Sequence, residues 1–279
     1  MAPQAPDPAD ELADEQPLRL DAALAARGIA RSRTHAARLV ADGLVTVDGR
    51  QATKASQQVH GRTELRVTGA DHYVSRAAHK LIAALDGFDV SAAGRTVLDV
   101  GASTGGFTQV LLERGAGGVV ALDVGHGQLD GAVASDARVT VVEGFNARSM
   151  TAATLEAAVG HPLTVELVVA DLSFISLTMV LPAVVGTVGL DADYVLLVKP
   201  QFEVGRTGIR EGIVHDPALR DEAVMGVLWA AWDLGLGTVG VLSSPLLGGA
   251  GNHEYLVRLH ATLGSNPTEW MERVSSLCR

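Results

Sequence analysis

Apolar strands alternate with helical segments from Thr96 onward, and this alternation constrains the fold more than any other feature of the chain. The strands are nearly continuous runs of Val, Leu and Ala, as in TVLDVG, GVVALDVG, RVTVVEG, VELVVAD and DYVLLVKP. Unbroken apolar runs of this kind are typical of parallel sheets that are buried on both faces. The pattern predicts an α/β fold, a Rossmann-like sheet with helices on both faces, completed by the strands TVGVLSS and HEYLVRLH.

Capping residues mark two of the helices. Ser75 stands before SRAAHKLIAALDGF, and Asp216 with Pro217 introduces a long helix, since these residue types favour the first positions of a helix. The most apolar region, MGVLWAAWDLGLGTVGVLSSPLLGG, is interrupted by Asp233 and by glycines. It therefore predicts a buried helix followed by a strand, and not a membrane span.

Charge is unevenly distributed along the chain, although the formal net charge is −10. Residues 1–18 hold five acidic and no basic residues, which predicts a disordered acidic tail. Residues 19–69 carry nine basic and four acidic residues, while the remainder is acidic. We therefore expect a small basic domain at 19–69, a linker at 70–74 and a large acidic domain at 75–279. The helix and strand pattern of 19–69, described below, predicts that the small domain is α+β.

Cysteine and histidine usage narrows the classes of site. Cys278 is the only cysteine, so no disulfide framework is possible. The acidic, proline-bearing N-terminal stretch is unlike a signal peptide, and we expect a cytoplasmic protein. The nine histidines show no metal-ligand spacing, and no metal site is predicted.

The basic segment contains LRLDAALAARGIARSRTHAARLVADGLVTVDG, which predicts a helix closing at Gly28, a second helix capped by Ser32, and a strand ending in an Asp-Gly turn. With a small sheet running through Val67, this pattern resembles the S4-like RNA-binding domain. The resemblance implies that Arg31, Arg33 and Arg38 contact phosphates, which supply affinity without sequence choice. The alternative is a solvated basic helix that has no partner.

A glycine-rich turn follows the first apolar strand. In LDVGASTGGFT, Gly101, Gly105 and Gly106 stand between a strand and a helix, where the backbone can approach a ligand closely. The spacing differs from the GxGxxG fingerprint. Asp123 closes the next strand, where a carboxylate can accept hydrogen bonds from ribose hydroxyls. These residues predict a nucleoside-containing cofactor, leave NAD open, and are also compatible with a tight turn that binds nothing.

Lysine is rare, because Lys54, Lys80 and Lys199 are the only lysines among 22 basic residues. Arg stays protonated in proteins, whereas a desolvated Lys can become neutral and act as a base. Lys199 follows an apolar strand at the expected ligand edge of the sheet, where an ordinary salt bridge would tolerate Arg. The residue type therefore favours a chemical role.

Two carboxylates and a second lysine are expected near the same edge. Asp171 ends the strand VVAD, Glu254 opens the last strand, and Lys80 comes from the helix before the sheet. Ordinary paired charges at strand ends are the alternative interpretation.

From Arg19 to Leu259, the chain resembles the TlyA (haemolysin A) family of ribosomal RNA 2′-O-methyltransferases. The motifs that carry the resemblance are ARSRTHAARLVADGLVTVDG, SRAAHK, LDVGASTGGFT, DVGHGQL, VVADLSFISL, LVKPQFEVG, GIVHDPALR and GNHEYL. The resemblance implies a catalytic tetrad of Lys80, Asp171, Lys199 and Glu254. It implies an S-adenosylmethionine site made of Gly101, Ala102, Ser103, Thr104, Gly105, Gly106, Phe107, Asp123, Val124, Asn146 and Asp171.

The resemblance also implies a substrate and partners. The substrate would be a cytidine ribose in ribosomal RNA within ribosomal subunits, and the RNA-binding residues would be Arg19, Arg31, Arg33, Arg38 and Arg76. No membrane and no obligate protein partner are expected. The alternatives are a non-catalytic RNA-binding assembly factor and, less favoured because the chain lacks a basic aromatic amphipathic face, a membrane-active haemolysin.

Overall fold

The computed structural model describes residues 17–30, 32–41, 43–67, 72–205 and 208–279. The chain forms two compact units that divide between His72 and Tyr73. Most of the acidic tail, part of the expected linker, and Arg31 lie outside the described residues.

The first unit packs two helices against short strands. Its helices are α1 (Leu20–Ala26) and α2 (Arg33–Ala41), and its strands are β1 (Leu18–Arg19), β2 (Val45–Val47), β3 (Arg50–Gln51), β4 (Gln58–Val59) and β5 (Leu65–Val67). β1 pairs with β4, and β2 is the central strand of the antiparallel sheet β3-β2-β5. Apolar side chains from both helices and from β2 and β4 form its core.

Two local features of this unit confirm the sequence interpretation. Ser32 Oγ accepts a hydrogen bond from the His35 N–H at 3.1 Å, as an N-cap of α2 does. Asp48 and Gly49 have φ angles of 47° and 76°, which make the tight turn between β2 and β3. The strand β1 begins at Leu18, so this residue belongs to the folded unit and not to the tail.

The second unit is built around a seven-stranded sheet. Its strands are β6 (Thr96–Val100), β7 (Gly118–Leu122), β8 (Val139–Val142), β9 (Leu167–Ala170), β10 (Asp193–Val198), β11 (Gly237–Ser243) and β12 (Tyr255–His260). Its helices are α3 (Ala78–Gly87), α4 (Gly106–Glu113), α5 (Gly131–Ala134), α6 (Ala152–Val159), α7 (Leu177–Val188), α8 (Pro200–Glu203), α9 (Pro217–Asp233) and α10 (Met271–Cys278).

The sheet is parallel over five strands and mixed at one end. Its order is β11-β12-β10-β9-β6-β7-β8, and β6 to β10 run parallel as expected. β12 is antiparallel to both of its neighbours. The reason is local: a loop connects β11 to β12 where a parallel pair would need a crossover helix. This reversal brings the start of β12 to the edge where the parallel strands end.

Apolar residues cover the sheet on both faces. One core contains α3 and α4 with side chains such as Leu81 and Val110, and the other contains α7, α9 and α10 with Leu181 and Leu228. All residues of β9 and β10 are buried, which accounts for their unbroken apolar sequence. None of the described helices has the length and apolar character that a bilayer span requires.

The two predicted caps behave differently. Asp216 accepts a hydrogen bond from Ala218 N at 2.9 Å and caps α9, as predicted. Ser75 Oγ accepts from Ala77 N at 3.2 Å, but α3 begins only at Ala78. Ser75 therefore initiates a turn that leads into the helix.

Candidate active site

The glycine turn joins β6 to α4 and lies against β9. Gly101, Ser103 and Gly105 have φ angles of 88°, 48° and 94°, a region that favours glycine. A Cβ at Gly101 would lie 2.9 Å from the Asp171 carbonyl oxygen, so only glycine lets the turn pack there. The turn and the end of β9 are therefore in direct contact.

Asp123 ties this turn to the end of β7. Its Oδ2 accepts from the Ser103 N–H at 2.9 Å and its Oδ1 accepts from Gly125 N at 2.7 Å. The left-handed conformation of Ser103 directs its amide toward the carboxylate. Val124, next in sequence, is exposed beside it. The arrangement places a fixed carboxylate and an open apolar surface next to the glycine turn.

Asp99 is a buried carboxyl that sequence reasoning did not single out. Thr108 Oγ1 donates to its Oδ2 at 2.6 Å, while Oδ1 is buried without a hydrogen-bond partner. Burial raises the pKa of Asp99 to about 7, and the nearby charges of Asp171 and Asp123 act in the same direction. The sequence feature that could have identified Asp99 is an acidic residue inside the apolar strand TVLDVG.

Lys80 and Glu254 form a buried ion pair across the fold. Lys80 Nζ lies 2.5 Å from Glu254 Oε2, and both side chains are almost completely buried. Gln201 Nε2 donates to the other oxygen, Glu254 Oε1, at 3.4 Å. A Cβ at Gly248 would lie 2.4 Å from that same oxygen, so the loop before β12 closes directly over the carboxylate.

Lys199 forms a second pair at the end of β10. Its Nζ lies 2.6 Å from Asp171 Oδ1 and donates to Ser173 Oγ at 2.8 Å. Lys199 is itself buried, whereas Ser173 is exposed. The amine is therefore held on one side by a carboxylate and on the other by a hydroxyl near solvent.

Strand register brings the two pairs to one edge of the sheet. Val198 is opposite Tyr255, so Lys199 and Glu254 are opposite each other at the next position outward. Ala170 is opposite Leu196, which places Asp171 on the neighbouring strand at the same edge. The side chains of Lys80, Asp171, Lys199 and Glu254 thus converge beside the glycine turn.

Phe174 is a second residue that sequence reasoning missed. It has φ +66°, is 92% exposed, and its ring centroid is 5.4 Å from that of Phe202. Phe202 in turn lies 6.0 Å from Lys199 Nζ. A left-handed, exposed aromatic residue is strained and loses the benefit of burial, which points to a functional role. Its dihedral angle could not be read from the sequence.

Glu203 connects the segments that carry Lys199 and Phe174. Its carboxylate accepts from Ser176 Oγ at 2.5 Å and from Leu177 N at 2.8 Å, at the first turn of α7. Burial raises the pKa of Glu203 above its usual range. One side chain of α8 therefore fixes the loop from Asp171 to Ser176 relative to Lys199.

The other predicted cofactor-binding and RNA-binding residues differ in their burial and contacts. Phe107 is packed in the core, so only its backbone faces the turn, and Asn146 Oδ1 accepts from Arg148 N at 3.0 Å. Gly106 packs against Ser75. A side chain at position 106 would bring its Cβ within 2.8 Å of the Ser75 Cβ. Arg76 is exposed in the second unit, and Arg19, Arg33 and Arg38 are exposed in the first.

Comparison with known proteins places these features in a family. Residues 73–261 match the FtsJ-like methyltransferase family, and residues 18–65 match the S4 domain. A Mycobacterium tuberculosis protein named 16S/23S rRNA (cytidine-2′-O)-methyltransferase TlyA is 53% identical over 244 residues, which cover 86% of this chain and 89% of that protein. The chain belongs to the TlyA family of FtsJ-like methyltransferases.

Other TlyA-like proteins match over most of their length. Hemolysin A of Brachyspira hyodysenteriae is 35% identical, and the match covers 86% of this chain and 98% of that protein. The solved structure of a proposed hemolysin from Streptococcus thermophilus superposes with a TM-score of 0.73 at 35% identity and covers 94% of this chain and 95% of that chain. The TlyA resemblance therefore extends over both units.

Proposed function

We propose that this chain transfers a methyl group from S-adenosylmethionine to the ribose 2′-hydroxyl of cytidine in ribosomal RNA. The observation that carries the proposal is the convergence of one buried and one largely buried lysine–carboxylate pair beside a glycine turn in a member of a methyltransferase family. The substrate follows the name of the M. tuberculosis relative, and the first unit matches an RNA-binding type of domain.

The residues of the glycine turn fit S-adenosylmethionine. Asp123 would accept hydrogen bonds from the ribose hydroxyls, and exposed Val124 would provide an apolar surface for the adenine ring. The unpartnered Oδ1 of Asp99 is an acceptor for a buried donor, such as an ammonium group or a water molecule. When bound, the cofactor supplies an electrophilic methyl group on its sulfonium sulfur.

Lys199 is the proposed proton-handling group. The ribose oxygen forms a bond to the methyl carbon while the carbon–sulfur bond breaks, and the hydroxyl proton must leave. Lys199 can take up this proton as a free amine, or it can orient the hydroxyl oxygen as an ammonium while a water molecule takes up the proton. Asp171 and Ser173 hold the amine in place. Complete alignment of the two reacting groups can lower a barrier by up to about 7 to 11 kcal/mol, and the position of the amine contributes part of it.

The second pair is proposed to shape the electrostatic environment. Lys80 adds positive potential near the developing alkoxide, and Glu254 orients Lys80 from the strand opposite Lys199. Phe174 is placed to stack on the base of the target nucleotide, since base–aromatic stacking is common for unpaired nucleotides. Each of these three residues therefore has a proposed role at the edge of the sheet where Lys199 lies.

The exposed arginines of the first unit are proposed to contact RNA phosphates. Phosphate contacts give affinity and register on the RNA, and the target base is then selected at the methyltransferase site. Ribosomal RNA within ribosomal subunits is the proposed substrate, which places the activity in the cytoplasm.

The proposal is tested by incubating purified small and large ribosomal subunits with the full chain and methyl-labelled S-adenosylmethionine. We expect label at a cytidine, mapped as a ribose modification by primer extension. Lys199→Arg should lower kcat on the order of 10²-fold or more, because guanidinium cannot accept a proton. Exposed Lys54→Arg is the matched control and should retain full activity.

Two results would contradict the proposal. Calorimetry that detects no binding of S-adenosylmethionine, with or without RNA, would favour a non-catalytic RNA-binding factor. Full activity of Lys199→Arg would remove the proposed role of that amine. A pH–rate profile distinguishes the two Lys199 roles, since only uptake of the proton requires the neutral amine.

A further inference from the structure

Two arginines of the first unit share one buried carboxylate. Arg19 donates from Nε to Asp21 Oδ1 at 3.1 Å and from Nη2 to Oδ2 at 2.9 Å. Arg33 Nη2 lies 3.6 Å from the same Oδ2. The Asp21 side chain is 8% exposed, whereas those of Arg19 and Arg33 are 46% and 61% exposed. A buried acid therefore holds two guanidinium groups that face solvent.

The backbone around Asp21 fixes its carboxylate. Asp21 Oδ1 also accepts from Ala22 N at 2.8 Å, and the Asp21 N–H donates to the Ala55 carbonyl at 3.0 Å. Leu20 N donates to the Gln57 carbonyl at 2.7 Å. The hydrogen bonds from Arg19 lower the pKa of Asp21, so the carboxylate is charged at neutral pH. The arginines are thus held by a rigid anion.

The geometry of Arg19 leaves a second edge of its guanidinium for another anion. A guanidinium carries five N–H donors in a planar fork. Asp21 uses the Nε–Nη2 edge, so the Nη1–Nη2 edge is directed away from the carboxylate. That edge can bind a phosphate through two parallel hydrogen bonds.

We propose that Asp21 is a positioning residue that pre-orients Arg19 and Arg33 to bind the phosphate backbone of RNA. The inference rests on the proposed function, because it requires the first unit to bind RNA. An acidic residue on an RNA-binding surface usually weakens binding, because its negative charge repels phosphate. Asp21 has the opposite effect. Asp21 increases RNA affinity because its two arginines are ordered before RNA arrives.

The test measures binding of the full chain to transcribed ribosomal RNA at several KCl concentrations. Asp21→Asn should weaken binding about threefold to tenfold and reduce the slope of log K against log[KCl] by roughly one, as expected when one phosphate contact is lost. Glu64→Gln is the matched control: Glu64 is 55% exposed, pairs with Arg66 at 2.6 Å, and loses the same charge. The control should bind RNA as tightly as the wild type or more tightly.

A second variant makes the result independent of any folding defect in Asp21→Asn. Arg19→Lys keeps the charge but removes the fork, so it should lose a similar factor, and the double variant should lose no more than either single one. Thermal unfolding verifies that each variant is folded. If Asp21→Asn does not fold, Arg19→Lys decides the outcome.

Three outcomes overturn the inference. Asp21→Asn that binds RNA as tightly as the wild type, or tighter, shows that the acid does not order the arginines for RNA. If Arg19→Lys binds RNA as tightly as the wild type, the planar guanidinium of Arg19 does not contribute to RNA binding. A wild-type chain that binds no RNA overturns both this inference and the proposed function, whereas RNA binding without methyl transfer overturns the proposed function alone.

Discussion

At the scale of single residues, burial distinguishes two ion pairs of nearly equal length. Lys80–Glu254 is buried at 2.5 Å, and Arg114–Asp86 is exposed at 2.6 Å. Breaking a buried pair leaves an uncompensated charge inside the protein, whereas an exposed pair contributes little.

Lys80→Met is therefore expected to lower the free energy of unfolding by about 3 to 5 kcal/mol, because Glu254 loses its partner. Asp86→Asn should lower it by less than about 1 kcal/mol. Urea unfolding of both variants measures the difference. Equal, small effects would mean that Glu254 finds another partner or reaches water when Lys80 is replaced.

Asp99 gives stability a dependence on pH. Its pKa rises from 3.8 in the unfolded chain to about 7 in the folded protein. The folded state therefore binds the proton more tightly, and stability from this group is fully present below pH 3.8 and is lost as pH rises through about 7. Asp99→Asn removes the titrating group.

We expect the free energy of unfolding of Asp99→Asn to fall less between pH 5 and pH 8 than that of the wild type, as determined by urea unfolding at each pH. Thr108→Val removes the hydrogen bond but keeps the carboxyl, and should retain the dependence on pH. Parallel curves for the wild type and Asp99→Asn would show that Asp99 titrates normally.

The residue types in the sequence predict part of the candidate site. The rest of the candidate site becomes evident only from the backbone geometry. Lysine at positions 80 and 199 in an arginine-rich chain indicates a chemical role from the sequence alone. Phe174 gave no such signal, because a Phe after LS reads as an ordinary apolar residue until its positive φ and exposure are known. Long-range contacts, such as that of Glu203 with Ser176, are also invisible in the sequence.

At the scale of secondary structure elements, Glu203 of α8 holds the start of α7. Glu203→Ala frees Ser176 Oγ and the Leu177 N–H, which should cost about 1 to 3 kcal/mol of stability. It should also lower kcat for methyl transfer, because the loop that carries Asp171 and Phe174 loses its anchor. Glu203→Gln keeps one acceptor oxygen and should recover part of the activity.

Asn266→Ala is the matched control for this prediction. Asn266 Oδ1 caps a short helical turn by accepting from Thr268 N at 2.9 Å, and this turn follows β12 at the opposite edge of the sheet. Loss of this cap should cost about 1 kcal/mol and leave kcat unchanged. A kcat for Glu203→Ala equal to that of the control would contradict the anchoring role.

Apolar periodicity predicted most elements but not the direction of one strand. The runs that end at Val100, Ala170 and Val198 are strands because Val and Leu pack well on both faces of a sheet. The side chains of β12 alternate in the same way whichever direction the strand runs. Its antiparallel direction follows from the loop that joins β11 to β12 without a crossover helix, and the alternation of side chains carries no information about that direction.

At the scale of the whole molecule, the distribution of charge predicts how salt affects each ligand. Residues 19–69 carry a net charge of +5, in a chain whose total is −10. Raising KCl from about 50 to about 200 mM should weaken binding to ribosomal RNA on the order of tens of fold, since counterion release scales with the number of phosphate contacts.

Affinity for S-adenosylmethionine should change far less over the same range, because its proposed site makes no comparable set of phosphate contacts. Filter binding for RNA and calorimetry for the cofactor measure the two quantities. Equal salt dependence of both affinities would contradict a division of labour between the basic segment and the methyltransferase site.

The division into a basic and an acidic part was visible in composition. The structure places the change between compact units at His72 and Tyr73, within the segment expected to be a linker. Composition could not give this position, because residues on either side of a boundary have no distinctive chemistry. The hydrogen bond from Val74 N to Gln109 Oε1 at 2.8 Å is one of the contacts that tie the start of the second unit to α4.

The pairing of Lys80 with Glu254 spans 174 positions of the chain. During translation, the helix that contains Lys80 is therefore made long before the carboxylate that neutralises it. A nascent chain arrested before the last strand carries an amine whose burial is uncompensated, and it lacks one wall of the site. We therefore expect methyl transfer to await the synthesis and docking of β12, so a chain that ends before Tyr255 should be inactive.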